Sequence, residues 1–316
     1  MKYTTSILAL GVILAPQAQA AWGDIRHLFT FGDSYSATGF DPKGVQPNPE
    51  NPLGNPKFPG RTSSNGPNWI DFLTRTYNES YIKTYNLAYG GATVDSELIS
   101  PSKKKIPSVK QQVKDRFLPN YSSKPDSARW SEADSLFAFF IGINDVNKSY
   151  KKASEELFDK VFDVYSDMVG ELYKVGARNF LFLNIPPIDR SPLTIKKGKE
   201  AQETQRKWIK EWNDRVDKLA KKTRERENVN VFQFSTHKLF TKVLDNPRSC
   251  KLTAGYKSTK KYCKEYAKKT PEWDTFIESC KIPVNQYFWL DSLHPTYPIH
   301  NATASGVARM LKKDMD

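Results

Sequence analysis

Three short segments of this chain carry the side chains that acyl transfer requires: Phe31-Gly32-Asp33-Ser34-Tyr35-Ser36, Gly142-Ile143-Asn144-Asp145 and Asp291-Ser292-Leu293-His294. They offer a hydroxyl, an amide, a carboxylate and an imidazole, the groups needed to attack an acyl carbon and hold the oxyanion that forms. A serine hydroxyl is a weak nucleophile at neutral pH. A base must take its proton, and histidine, with an ordinary pKa of about 6.5, suits that task. The chain has four histidines. His27 lies in an apolar run, His237 follows the strand-like Val231-Phe232-Gln233-Phe234, and His300 adjoins a glycosylation sequon. Only His294 has a carboxylate three residues upstream on an expected loop, where Asp291 can accept the Nδ1 proton and present Nε2 to a serine. An Asp-x-x-His arises often by chance, so its weight comes from the other two segments.

The elements that must position these groups are legible as short apolar runs: Leu28 to Phe31, Ile82 to Ala88, Leu136 to Ile141, Phe180 to Ile185 and Val231 to Phe234. Segments of helical spacing separate them, which predicts a parallel sheet covered on both faces. One helix is expected from Ser154 through Val175, where Leu157, Val161, Val164, Tyr165, Met168, Leu172 and Val175 recur every three or four residues before Gly176. Another is expected from Ala201 to Glu225, with Trp208, Trp212, Val216 and Leu219 on a core-facing side. Ser34 and Asn144 then follow the carboxyl ends of strands, where parallel sheets open a ligand crevice. Gly90 and Gly91 follow the extended run Tyr81 to Leu87 and let the backbone turn an amide inward, although paired glycines are also an ordinary turn. Asp33 and Asp145 are expected to cap a helix or tie down a loop. The G-x-S-x-G nucleophile elbow is absent, because Ser36 occupies its fifth position.

Taken together, Gly32-Asp33-Ser34-Tyr35, Asn86-Leu87-Ala88-Tyr89-Gly90-Gly91-Ala92-Thr93, Gly142-Ile143-Asn144-Asp145 and Asp291-Ser292-Leu293-His294-Pro295-Thr296 resemble, in order, the motif blocks of the GDSL or SGNH hydrolase superfamily. Tyr35 stands where the family name has leucine. The resemblance implies an α/β fold: a three-layer α/β/α sandwich around a central, mostly parallel five-stranded sheet. It implies Ser34 as nucleophile, His294 as base and Asp291 as its orienting partner. The implied oxyanion hole combines the amides of Ser34 and Gly91 with the Asn144 side chain; Gly91 is preferred over the neighbouring Gly90 because it lies five residues after Asn86. No cofactor is expected, and no metal, because the long cysteine spacings argue against a zinc knuckle and no His-Glu-x-x-His occurs.

Within that superfamily the chain is similar to secreted fungal acetylesterases of the sixteenth carbohydrate esterase family. The segments that carry this are Thr30 to Phe40, Phe58-Pro59-Gly60-Arg61-Thr62-Ser63-Ser64-Asn65-Gly66-Pro67-Asn68-Trp69, and Tyr287-Phe288-Trp289-Leu290 leading into the Asp291 block. The resemblance implies removal of acetyl groups from hemicellulose oligosaccharides, with Asn65, Trp69 and Trp289 as candidate substrate contacts. The rivals are a GDSL lipase or lysophospholipase acting on longer acyl esters, and a wall-binding protein that has lost catalysis.

Residues 1–20 read as a signal peptide, an apolar core ending in Ala18-Gln19-Ala20, so a secreted domain over residues 21–316 is expected. Two loop elaborations are expected on it, at 41–68 and 246–286, the second as a rim or lid. No later stretch has the ~20 apolar residues of a membrane span. Sequons at Asn78, Asn120, Asn147 and Asn301 fit a secretory route and place surface loops there. Cys250, Cys263 and Cys280 allow one disulfide in three ways. The net charge of +13 lies in scattered lysine runs such as Lys103-Lys104-Lys105, a pattern of a solvated basic face attracted to acidic polymers and not of a nucleic-acid binder. A monomer is expected.

Overall fold

A computed structural model describes residues 21–268 and 270–315; the expected signal peptide, residues 1–20, lies outside the described residues. Five strands, β1 (His27–Gly32), β2 (Lys83–Asn86), β3 (Ser135–Phe140), β4 (Asn179–Leu183) and β5 (Asn230–Phe234), form one sheet in the order β2-β1-β3-β4-β5. Every pairing is parallel. Each strand falls on one of the five apolar runs. All residues of β1, β3 and β4 are buried, as expected of strands covered on both faces.

Alternation along the strands builds an aromatic ladder on one face of the sheet. Phe29 stacks on Tyr85 of β2 at 4.8 Å and on Phe137 of β3 at 5.1 Å, and Phe139 stacks on Phe31 at 4.9 Å and on Phe182 at 5.7 Å. Such cross-strand aromatic pairs fix register, since a slip of one residue would turn every ring to the opposite face.

Helices α1 (Trp69–Arg75), α2 (Ile143–Ser149), α3 (Glu155–Lys174), α4 (Lys199–Arg224), α5 (Thr236–Asp245) and α6 (Tyr297–Met315) complete a three-layer α/β/α arrangement. α1 packs on α6, and α3 packs on α4. α3 starts where Ser154 accepts the Leu157 N–H and ends before Gly176, whose φ of +105° suits glycine. Trp208 and Trp212 are buried between α3 and α4, with Trp212 against Phe158 and Phe162.

The 41–68 segment is ordered. Asn68 caps α1 by accepting the Ile70 N–H at 2.9 Å, and Arg61 N–H donates to the Thr38 carbonyl at 2.7 Å. The described residues of the 246–286 segment form single helical turns and bends closed by a Cys263–Cys280 disulfide, which leaves Cys250 free. Part of it rests on a small apolar cluster, Tyr266, Cys280 and Val284 with Leu290 beyond the segment, while Tyr256 is buried in the main core. No described helix is long and apolar enough to cross a membrane.

Candidate active site

β1 ends at Gly32, where a Cβ would lie 2.3 Å from the Phe140 carbonyl oxygen, so only glycine lets the chain leave the sheet beside β3. The next residues form a helical turn, with Ser36 and Ala37 N–H groups donating to the Asp33 carbonyl. Ser34 sits in this turn. Its Oγ is 2.8 Å from His294 Nε2, although 260 residues separate the two. His294 Nδ1 is 2.8 Å from Asp291 Oδ2, and Asp291 Oδ1 accepts the Leu293 and His294 N–H groups at 2.7 and 2.8 Å. The hydroxyl, imidazole and carboxylate therefore form one hydrogen-bonded line. Burial pushes the Asp291 carboxyl up, but the His294 hydrogen bond, the His294 charge and the two backbone N–H groups outweigh it and hold the group below its ordinary value. It stays ionised and fixes the imidazole.

The turn Tyr89–Ala92 closes through the Ala92 N–H to Tyr89 carbonyl bond, and Gly91 takes its third position with φ +84°. That corner demands glycine. At Gly90 a Cβ would approach Ser34 Cβ at 3.9 Å, whereas at Gly91 it would meet Ile106 Cδ1 at 2.9 Å and Ser102 Oγ at 3.8 Å, so Gly90 is the glycine whose Cα side faces the serine. Among the described residues, the N–H groups of Ser34 and Gly91 have no hydrogen-bond acceptor. Asn144, in the first turn of α2, donates one Nδ2 hydrogen to the Ala92 carbonyl at 3.0 Å, which orients the amide and keeps its second N–H. Gly142 starts α2 against Trp212, where a Cβ would fall 2.2 Å from the indole.

Buried polar side chains brace this arrangement. Gln112 accepts the Gly32 N–H at 2.9 Å and donates to the Gly32 carbonyl at 2.8 Å. Tyr35 donates to the Leu293 carbonyl at 2.6 Å, joining the serine turn to the histidine loop. Neither bracing role is legible in the sequence. Gln112 lies 80 residues from its partner with no local signal; Tyr35, standing in place of the motif's leucine, was the one available clue. Asp33 and Asp145 tie down loops as expected, accepting the Tyr35 and Val94 N–H groups at 3.0 Å. Both carboxyls are fully buried, and burial pushes each up to about 7. His300 is buried too, and burial followed by the His294 charge pushes it down to about 3.

The three candidate substrate contacts are corrected by their surroundings. Trp69 is 0 % exposed and donates to Ser36 Oγ at 2.9 Å; Trp289 is 1 % exposed and donates to the Thr259 carbonyl at 2.9 Å. Neither ring has a free face for a sugar. Asn65 donates to Thr270 Oγ1 and accepts the Thr270 N–H, both at 2.8 Å, so its amide is spent on holding the 246–286 segment. The sequons are likewise not all loops. Asn147 and Asn301 lie in α2 and α6, and Asn120 in the short helix Leu118–Tyr121. Their amides are engaged by Gln205, Tyr77 and the Arg116 carbonyl, and only Asn78 lies on a connecting segment.

A family model described as GDSL-like lipase/acylhydrolase matches residues 28–307. The chain belongs to that family. It is 33% identical to an acetylesterase of Thermothelomyces thermophilus over 96% of both chains. It is 23% identical to a GDSL esterase/lipase of Arabidopsis thaliana over 86% of this chain and 85% of the other. Among solved structures, a putative GDSL-like lipase from Parabacteroides merdae is 11% identical and superposes with a TM-score of 0.51 over 94% of this chain and 99% of that one, a likeness of fold. Family membership makes the chain an ester hydrolase.

Proposed function

We propose that this chain is a secreted, monomeric acetylesterase that removes O-acetyl groups from hemicellulose-derived oligosaccharides through an acetyl-enzyme intermediate. The observation that carries the reading is the 2.8 Å contact of Ser34 Oγ with His294 Nε2, backed by the 2.8 Å contact of Nδ1 with Asp291. Ser34 attacks the acetyl carbonyl while His294 takes its proton. Charge develops on an oxygen received by the Ser34 and Gly91 N–H groups and by the second Nδ2 hydrogen of Asn144. His294 then protonates the departing sugar hydroxyl, and water repeats the cycle on the acetyl-enzyme. Support for acetyl as the acyl group is the 33% identity with a fungal acetylesterase along nearly the whole chain.

The sugar is read, in this proposal, at the rim contributed by residues 246–286. Trp273 stays 39 % exposed there, packed on Phe58 and Tyr297, and Tyr297 lies only three residues from His294. The test is hydrolysis of acetylated xylo-oligosaccharides beside aryl esters from acetyl to palmitoyl, by the chain from residue 21 and its Ser34→Ala variant. Acetate release that falls steeply with acyl length and drops about 10⁶-fold in Ser34→Ala is the expected result. A preference for long acyl chains moves the substrate to lipids, and activity that survives Ser34→Ala overturns the catalytic assignment.

A further inference from the structure

Away from the serine, helices α5 and α6 border a surface groove of about 820 Å³ that also touches the turn after α5. Its charged lining is all of one sign: Lys238 and Lys242 from α5, Lys251 from the turn, Arg309 and Lys313 from α6. All five are exposed, and none forms an ion pair with any described residue. The nearby carboxylate at the end of α5, Asp245, is taken by Arg190 at 2.7 Å. Like charges four residues apart on a helix repel. The groove carries two such pairs on two neighbouring helices, and its lining holds no acid; Asp217 borders Lys238 only from the adjoining pocket. Its floor is aliphatic apart from one ring: Leu239 and Met310 lie beside Phe234, and Gly306 lacks a side chain where a Cβ would fall 2.6 Å from that ring.

From this combination we infer that the groove binds an acidic polysaccharide segment, a chain of uronate sugars. Several anions along one ligand are needed to answer five separate cations. Lys238 and Lys242, like Arg309 and Lys313, stand about 6 Å apart along their helices, so successive ring carboxylates meet successive cations. Four of the five are lysines, compact point charges suited to single carboxylates. The apolar floor receives the C–H faces of the sugars. A nucleic acid strand is disfavoured because the floor has one ring where base stacking asks for a row of them. The groove holds none of the residues assigned to ester cleavage, so the inference does not rest on that assignment.

Cys250 lines the same groove as a free, half-buried thiol and serves as a reporter. The experiment titrates the chain with tetragalacturonate, following heat by calorimetry and the rate at which a chromogenic disulfide modifies Cys250. Binding that weakens with salt and slows modification several-fold is expected, with xylotetraose inert. The Lys242→Ala/Arg309→Ala variant should bind at least tenfold more weakly while hydrolysing aryl acetate normally, which shows that it has folded. Lys103→Ala/Lys104→Ala/Lys105→Ala, removing exposed charge elsewhere, should leave affinity within twofold. Equal losses in the two variants would reduce the effect to diffuse charge and overturn the proposal. So would unprotected Cys250, or stronger protection by an oligonucleotide or by anionic phospholipid vesicles than by the uronate.

Discussion

The serine site and the segment 246–286 lie side by side but are held by different physics. Ser34, the Gly90-Gly91 turn and Asn144 follow the carboxyl ends of β1, β2 and β3, whose side chains belong to one apolar cluster running from Trp22 to Met315. Buried polar groups then fix the loops: Gln112 clamps Gly32, and Asn86 and Asn68 both donate to the Ser36 carbonyl at 2.7 Å. The 246–286 segment contributes no strand to the sheet. It leaves Trp273 39 % and Phe276 58 % exposed, and is stapled by one disulfide, by Asn65 to Thr270 and by Trp289 to Thr259. The proposed chemistry thus rests on the cooperative core, whereas the exposed part of the rim is tied down by a few local contacts.

The sharpest way to break that contrast is at the site itself. His294→Ala removes the proposed base, which touches Ser34, and should cost about 10⁴–10⁶ in kcat, equally on aryl acetate and on acetylated oligosaccharide. A larger loss on one substrate would mean that the histidine also reads the sugar. Asn144→Ala comes next. It deletes one side-chain donor while Ser34, His294 and Asp291 stay in line, so kcat should fall about 10²–10³ with little change in KM. A rise in KM at constant kcat would make Asn144 a binding residue instead. At the rim, Cys263→Ser with Cys280→Ser opens a loop of 17 residues, a constraint worth about 3 kcal/mol by chain entropy. The loop should loosen, KM for oligosaccharides should rise several-fold, and kcat on aryl acetate should hold. Equal damage to both substrates would show that the rim and the site are one mechanical unit.

What sequence could reveal follows the same division. The five strands were legible because buried parallel strands are continuous apolar runs, and α3 and α4 because their core residues repeat every three or four positions. The expected bounds, Ser154 to Val175 and Ala201 to Glu225, differ from Glu155–Lys174 and Lys199–Arg224 by no more than two residues. Ser34, Asp291 and His294 carried their own spacing signal. The braces did not. Trp69 and Trp289 flank motif residues and suggested sugar platforms, yet whether a ring near a site is free or buried depends on chain far away, Ser36 in one case and Thr259 in the other. Asn65 and the sequon in α2 misled for the same reason, because an amide's partner is set by tertiary contact and not by its neighbours in sequence. The choice of Cys263 and Cys280 is a distance that only the folded 246–286 segment defines.

The smallest expected effect separates the regions by pH. Asp33 and Asp145, beneath the site, are raised from an ordinary 3.8 to about 7. Between those values the folded protein holds protons that the unfolded chain has released. The neutral carboxyls therefore favour the fold fully below about pH 4, and that contribution is lost as pH climbs to 7, by roughly 1.4 kcal/mol per pH unit for each proton. Asp71, raised to about 8, adds to the same trend, while His300, lowered to about 3, opposes it, since there the unfolded chain binds the extra proton up to its ordinary value of 6.5. Asp291 is held below its ordinary value and acts only at lower pH. The informative quantity is thus the difference between wild type and Asp33→Asn or Asp145→Asn, each of which keeps the Oδ1 acceptor for Tyr35 or Val94. Urea unfolding at several pH values should show each variant gaining stability relative to wild type as pH rises through this window. A difference that stays constant with pH would mean that the carboxyl ionises in the fold at its ordinary value, and that the polar layer under Ser34 is wetter than its burial implies.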